Sequence, residues 1–310
     1  MASLTLLGII LLVSTATSTC FIDQVWDFNE IVIQKNIQYG ANYNPLTKKN
    51  ESLTLDLYTP PSSDNRTARP AFVLVHGGSF KSGDSTSDDE PEFAQTLASR
   101  GFVVVSINYR LTGTFYGLNS EQPALDATED ARAAVRFVRK NADDGKVDGN
   151  RIGIGGDSAG AITSLYLGYV KDAAGEGHSG NPGYSSQVNV VVPISGELKD
   201  EGFCAGLNPN GTPYGCAVEG KFDKTKDIHN NQQPPLVMVH GTDDLTVPYV
   251  NGKACTEQAA SVGIENKLIT IDGAKHVPFQ QLFHTGTYLI DLMTFLHSAM
   301  DLEHAQCPLK

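Results

Sequence analysis

Four short stretches of this chain are nearly continuous in apolar residues: 72–76 (FVLVH), 102–107 (FVVVSI), 188–194 (VNVVVPI) and 236–240 (LVMVH). Runs that do not alternate suit strands covered on both faces, as in a parallel sheet. Between them the period changes. Ala127, Ala131, Ala134 and Val138 recur at spacings of 4, 3 and 4, which predicts a helix over about 123–141. Ile162, Leu165 and Tyr169 predict a helix just after Ser158, and a closing helix is expected over about 287–299. Near the start, 31–39 and 52–58 read as an opening hairpin at a sheet edge. The alternation of strand and helix predicts an α/β fold, with a mostly parallel central sheet of about eight strands flanked by helices. Ligands are then expected at the carboxyl ends of the strands. One interval breaks the rhythm: 196–235 is rich in Gly, Asn and Pro and longer than a normal connection, which predicts a functional loop or small lid inserted in a single domain.

The densest chemical signal follows one of these strands. In Arg151-Ile-Gly-Ile-Gly-Gly-Asp-Ser-Ala-Gly160 a short strand runs into G-x-S-x-G and then a helix. A nucleophile on so tight a turn needs glycine two residues before and after it, because a Cβ at either place would collide. The helix behind it points its amino end at the same spot and favours developing negative charge. A plain Gly-rich strand-to-helix turn is the competing reading. It loses ground to a second motif, His76-Gly77-Gly78-Ser79-Phe80, directly after another apolar strand. Acyl transfer needs amide donors aimed at an oxyanion, and the amides of Gly77, Gly78 and Ala159 are the expected set. His76, fused to that loop, is expected to anchor it rather than act as a base.

A serine also needs a base and an orienting acid. The strand at 236–240 ends in His240-Gly-Thr-Asp-Asp-Leu-Thr-Val-Pro248, which offers Asp243 and Asp244; spacing alone does not separate them. The last strand, about 267–271, is followed by Asp272-Gly-Ala-Lys-His276. Of the eight histidines, His276 alone lies in a loop just past a terminal strand. His240 is expected to support the acid loop, and His284 and His297 fall in or near the closing helix.

With these residues in view, the chain resembles a carboxylesterase of the α/β-hydrolase superfamily. The resemblance is to the group with an HGG oxyanion motif, near the hormone-sensitive-lipase-like and feruloyl-esterase-like esterases. The likeness spans roughly 31–300 and rests on six elements: Leu55-Asp-Leu-Tyr-Thr-Pro60, the HGGSF at 76–80, Asn108-Tyr-Arg-Leu111, the helix from Asp126 to Arg136, the elbow and the HGTDDLTVP. The resemblance implies an α/β-hydrolase fold with a Ser158–Asp244–His276 triad, Asp243 being the fallback for the acid. Relatives often carry a second Gly where this chain has Ala161. Arg110, Asp126 and Asp130, in the motifs shared with that group, read as structural ion pairs.

Composition narrows the function classes. With 23 basic and 35 acidic residues the net charge is −12. That argues against nucleic acid and against anionic membrane surfaces. Residues 1–20 carry no charge; an apolar run at 4–13 and small residues Ala16 and Ser18 predict a signal peptide over 1–18 and a secreted mature chain, 19–310. Asn50, Asn65 and Asn210 open N-glycosylation sequons, which agrees with export. Cys204 and Cys216 bracket a turn-rich loop and are the candidate disulfide. The pairing of Cys20, Cys255 and Cys307 stays open, and the odd total leaves one thiol free or bound to another chain.

The expectation is a secreted serine carboxylesterase acting through an acyl-enzyme on short-chain, water-soluble, small-molecule esters, with no metal or organic cofactor. The insert is too rich in Gly, Asn and Asp for the apolar lid of a lipase. The alternatives are a lipase for longer acyl chains, related transfers by the same triad, and a non-catalytic binding protein of the same fold.

Overall fold

The computed structural model describes residues 20–87, 89–112, 122–170, 177–198 and 224–308. Eight strands among these form one sheet: β1 (Val32–Asn44), β2 (Lys49–Thr59), β3 (Arg69–Val75), β4 (Val103–Ile107), β5 (Val147–Asp157), β6 (Val190–Ile194), β7 (Leu236–Gly241) and β8 (Asn266–Ile271). Their order is β1-β2-β4-β3-β5-β6-β7-β8. β1 and β2 form the expected hairpin, and β2 pairs antiparallel with β4; every later pairing is parallel. The chain has the α/β-hydrolase fold.

The continuous apolar runs are explained by cover on both faces: every residue of β3, β4, β6 and β7 is buried. Ala71, Val73 and Val75 of β3 join one core, while Phe72 and Leu74 join the other. Helices α2 (Gln122–Lys140), α4 (Ala159–Tyr169) and α5 (Tyr249–Ser261) supply the first core; α1 (Glu90–Ala98), α6 (Phe279–His284) and α7 (Gly286–Ala299) supply the second. A single turn, α3 (Ala142–Gly145), leads into β5. β1, on the edge, is largely exposed along its length.

From β3 the chain steps to β4 on one side and then crosses to β5 on the other. The strand order therefore reverses at β3 and β5, and a crevice opens beyond their carboxyl ends. The loop after β3 and the elbow after β5 are the two motifs singled out above, so topology alone brings them together.

Arg110, Asp126 and Asp130 meet only in part as expected. Arg110 Nε donates to both Asp130 carboxylate oxygens, at 3.0 and 2.9 Å. Its second carboxylate partner is Glu129, at 2.7 Å, rather than Asp126, which offers its backbone carbonyl.

Candidate active site

β5 delivers Ser158, and α4 begins at the next residue, so the chain turns within one position. Ser158 takes φ 49° and ψ −113°, a conformation an L residue holds only when its surroundings impose it. Here β3 imposes it. A Cβ on Gly156 would lie 2.0 Å from the Val75 carbonyl oxygen, and one on Gly160 would lie 1.8 Å from the same oxygen. Glycine at both places is a steric requirement of the crossing.

His276 stands in the loop between β8 and α6, partly exposed. Its Nε2 is 3.0 Å from Ser158 Oγ, and its Nδ1 is 2.8 Å from Asp244 Oδ2. Val277, next in the chain, has φ 54° and donates its N–H to Ser195 Oγ at 3.0 Å, so a buried serine at the end of β6 pins the histidine loop. Sequence reasoning missed Ser195, whose only signal is that it follows a buried strand.

The two adjacent carboxylates separate cleanly. Asp243 is exposed. Asp244 is buried; its Oδ1 accepts the N–H groups of Thr246 and Val247, both at 2.9 Å, while Oδ2 faces His276. Burial alone would push the Asp244 carboxyl up. Hydrogen bonds from His240 and His276, the charge on His276 and the Val247 N–H outweigh it and hold the group well below the usual carboxylate range.

The loop after β3 requires one correction. The Gly77 N–H donates to Asp157 Oδ1 at 2.9 Å, so it is spent on a protein acceptor and does not belong in the oxyanion set. The N–H groups of Gly78, Ser79 and Ala159 have no acceptor among the described residues. Ser79 thus joins Gly78 and Ala159, the two expected donors that remain. Gly78, Ser79 and Phe80 all have positive φ (98°, 55° and 60°), which turns this short segment back on the elbow. His76 anchors the loop as expected: it is buried, its ring stacks on Tyr109 at 4.3 Å, and Nδ1 donates to the Gly77 carbonyl at 2.7 Å. Tyr109 O–H donates to the carbonyl of His76 at 3.0 Å.

A cavity of about 300 Å³ adjoins His276, lined in part by Lys275, Val277, Pro278, Gln280 and Gln281. The candidate disulfide Cys204–Cys216 and the sequon at Asn210 lie outside the described residues. Among the described residues Cys20 and Cys307 form a disulfide, and Cys255 is buried on α5. Asn50 and Asn65 are both exposed.

Comparison with known proteins finds esterases. Residues 55–200 match the family described as BD-FAE. A probable isoprenylcysteine alpha-carbonyl methylesterase of Arabidopsis thaliana, ICMEL1, is 28% identical over 242 residues, covering 72% of this chain and 48% of its own length. Carboxylesterase 3B of Mus musculus is 37% identical over 142 residues, covering 43% of this chain and 24% of its own. The chain thus spans about half or less of these curated relatives. Among solved structures, an esterase of the planctomycete Thermogutta terrifontis, Est2, superposes with a TM-score of 0.63 at 23% identity, over 91% of this chain and 95% of that one.

Proposed function

We propose that this chain, which has the α/β-hydrolase fold, is a serine carboxylic ester hydrolase. The observation that carries the reading is the continuous relay from Ser158 Oγ through His276 to Asp244, at 3.0 and 2.8 Å, with the serine on a strained elbow. His276 Nε2 takes the hydroxyl proton as Ser158 attacks the ester carbonyl. The charge that develops on the carbonyl oxygen is met by the amides of Gly78, Ser79 and Ala159. Asp244 keeps the Nδ1 proton of His276 in place. His276 returns its proton to the leaving alcohol, and water releases the acyl-enzyme by the same steps in reverse.

Short acyl chains and water-soluble esters are the substrates this reading favours. It is supported by the polar composition of the 196–235 insert and by the small cavity beside His276, to which Lys275, Gln280 and Gln281 contribute polar side chains. Export is supported by the Cys20–Cys307 disulfide, which persists in oxidising compartments, and by exposed sequons at Asn50 and Asn65.

The test is hydrolysis of p-nitrophenyl acetate, butyrate, octanoate and palmitate, with Ser158→Ala alongside. Activity should peak at acetate or butyrate and fall by about 10³-fold or more in the variant. A peak at palmitate would make the protein a lipase. Equal rates in both proteins would leave a binding protein without catalysis.

A further inference from the structure

His240 lies at the end of β7, fully buried, and none of the steps above uses it. Its Nε2 is 2.9 Å from the Val247 carbonyl oxygen and 3.3 Å from Asp244 Oδ2. A ring nitrogen that faces a carbonyl must donate, so the proton sits on Nε2. Nδ1 has no hydrogen-bond partner and packs on the backbone of α5: a Cβ on Gly252 would lie 2.3 Å from it. The ring is therefore held in one tautomer and one orientation. Its Nε2–H spans the turn from Gly241 to Val247 that carries the acid.

We infer that His240 is a positioning residue of this site: it shares its single Nε2 proton between the Val247 carbonyl and Asp244 Oδ2, which locks the carboxylate and limits how strongly that carboxylate draws on His276. The inference rests on the esterase reading. It follows from counting lone pairs. A carboxylate has about four acceptor sites. Asp244 Oδ1 takes the N–H groups of Thr246 and Val247, Oδ2 takes His276 Nδ1, and His240 Nε2 lies 3.3 Å from Oδ2 while it donates to the Val247 carbonyl. With three acceptor directions hydrogen-bonded and the His240 ring against the fourth, the carboxylate resists rotation and the direction of its bond to His276 is set. Other titratable groups nearby do not compete. Tyr249 meets the His240 ring edge-on at 5.8 Å with its hydroxyl on Thr270, and Asp243 faces solvent.

Without His240 one lone pair of Oδ2 goes unused, the carboxylate becomes more basic, and protonated His276 is held more tightly. A catalytic base that is harder to deprotonate moves the acidic limb of kcat/KM to higher pH.

The test uses the full chain with p-nitrophenyl butyrate and compares His240→Phe, which keeps a flat ring without a donor, with His240→Gln, whose amide can donate over a similar reach. His240→Phe should lower kcat by about 10–100-fold with KM within about twofold, and raise the acidic limb by about half a pH unit. His240→Gln should restore most of the rate and the wild-type limb. A folded His240→Phe with unchanged rate and limb would overturn the inference, as would a His240→Gln as impaired as His240→Phe. Should His240→Phe fail to fold, Gly252→Ala drives a methyl group against Nδ1 and should reproduce the limb shift; an unmoved limb there overturns the inference. Ser158→Ala separates the two levels. Undiminished hydrolysis in that variant removes the esterase reading and this inference together. Its loss, with His240→Phe unaffected, removes this inference alone.

Discussion

At the scale of single residues, the site is held by side chains that stand one position away from those expected to do the chemistry. Asp157, immediately before Ser158, accepts the Gly77 N–H and so joins the loop after β3 to the elbow after β5. Replacing it with Ala would leave a buried N–H without its acceptor, at a cost of about 1–3 kcal/mol, and would free the oxyanion loop to shift. Asp157→Ala should therefore lower kcat at least about tenfold with little change in KM, because the loop's amides act on the transition state. Asp157→Asn keeps a carbonyl acceptor and should lose less. Steady-state kinetics on p-nitrophenyl acetate would check both, and equal losses would show that the Gly77 contact is not what matters. Ser158 and the acidic pair were readable from sequence because each sits in a recognisable motif after an apolar strand, and His276 because it alone of the histidines lies in the loop past the last strand. Asp157, Ser195 and Glu129 were not, because what they do depends on which backbone group another strand or loop brings opposite them. Gly77 misled for the same reason: a glycine pair predicts exposed amides but does not say which amide already has a partner.

At the scale of elements, Arg110 ties together pieces that sequence treats as separate. Its guanidinium donates to the Tyr43 carbonyl on β1, the Asp126 carbonyl on α2, and the carboxylates of Glu129 and Asp130. Asp130 also accepts Ser179 Oγ at 2.5 Å, and the Ser179 carbonyl accepts the Ala41 N–H. Burial works against the Arg110 charge, but the bonds to Asp130 and Glu129 outweigh it and raise its pKa above the ordinary value. Arg110→Met would strand the fully buried Asp130 carboxylate and should cost about 3–5 kcal/mol in urea unfolding; a loss below about 1 kcal/mol would mean Ser179 alone satisfies that charge. The strands β3, β4, β6 and β7 were legible because burial on both faces leaves an uninterrupted apolar run, and α2 because its small residues recur with helical spacing. α1 and α5 went unread. α1 carries only Phe93, Ala94, Leu97 and Ala98 as buried apolar residues, and α5 is half polar, so neither shows a stripe long enough to count.

For the whole molecule, the carboxyl ends of the strands carry the chemistry and the opposite edge closes the chain on itself. Cys20 and Cys307 are joined across a sequence separation of 287, near where β3 and β4 begin. Around the bond, Arg66 lies between the rings of Phe21 and Trp26, at 5.4 and 5.8 Å, and donates to the carbonyls of Gly101 and Gln306. The two ends of the described chain are thus packed on one buried cation as well as bonded to each other. Spacing held no sign of this pair, because cysteines so far apart in sequence are brought together only by the finished sheet. Cross-linking so long a loop removes conformational freedom from the unfolded chain, about 6 kcal/mol in the chain-entropy account. The native contacts around Arg66 remain when the bond is cut, so the folded state should survive with its site unchanged. Reduction, or the double variant Cys20→Ser/Cys307→Ser, should therefore lower the urea midpoint and the Tm by several degrees or more. Hydrolysis of p-nitrophenyl butyrate at 25 °C should stay within about twofold of wild type, since the bond and Ser158 lie at opposite ends of the strands. An unchanged midpoint would mean that the packing on Arg66 already confines the ends in the unfolded chain; a large fall in activity at 25 °C would mean that the amino edge of the sheet helps shape the site.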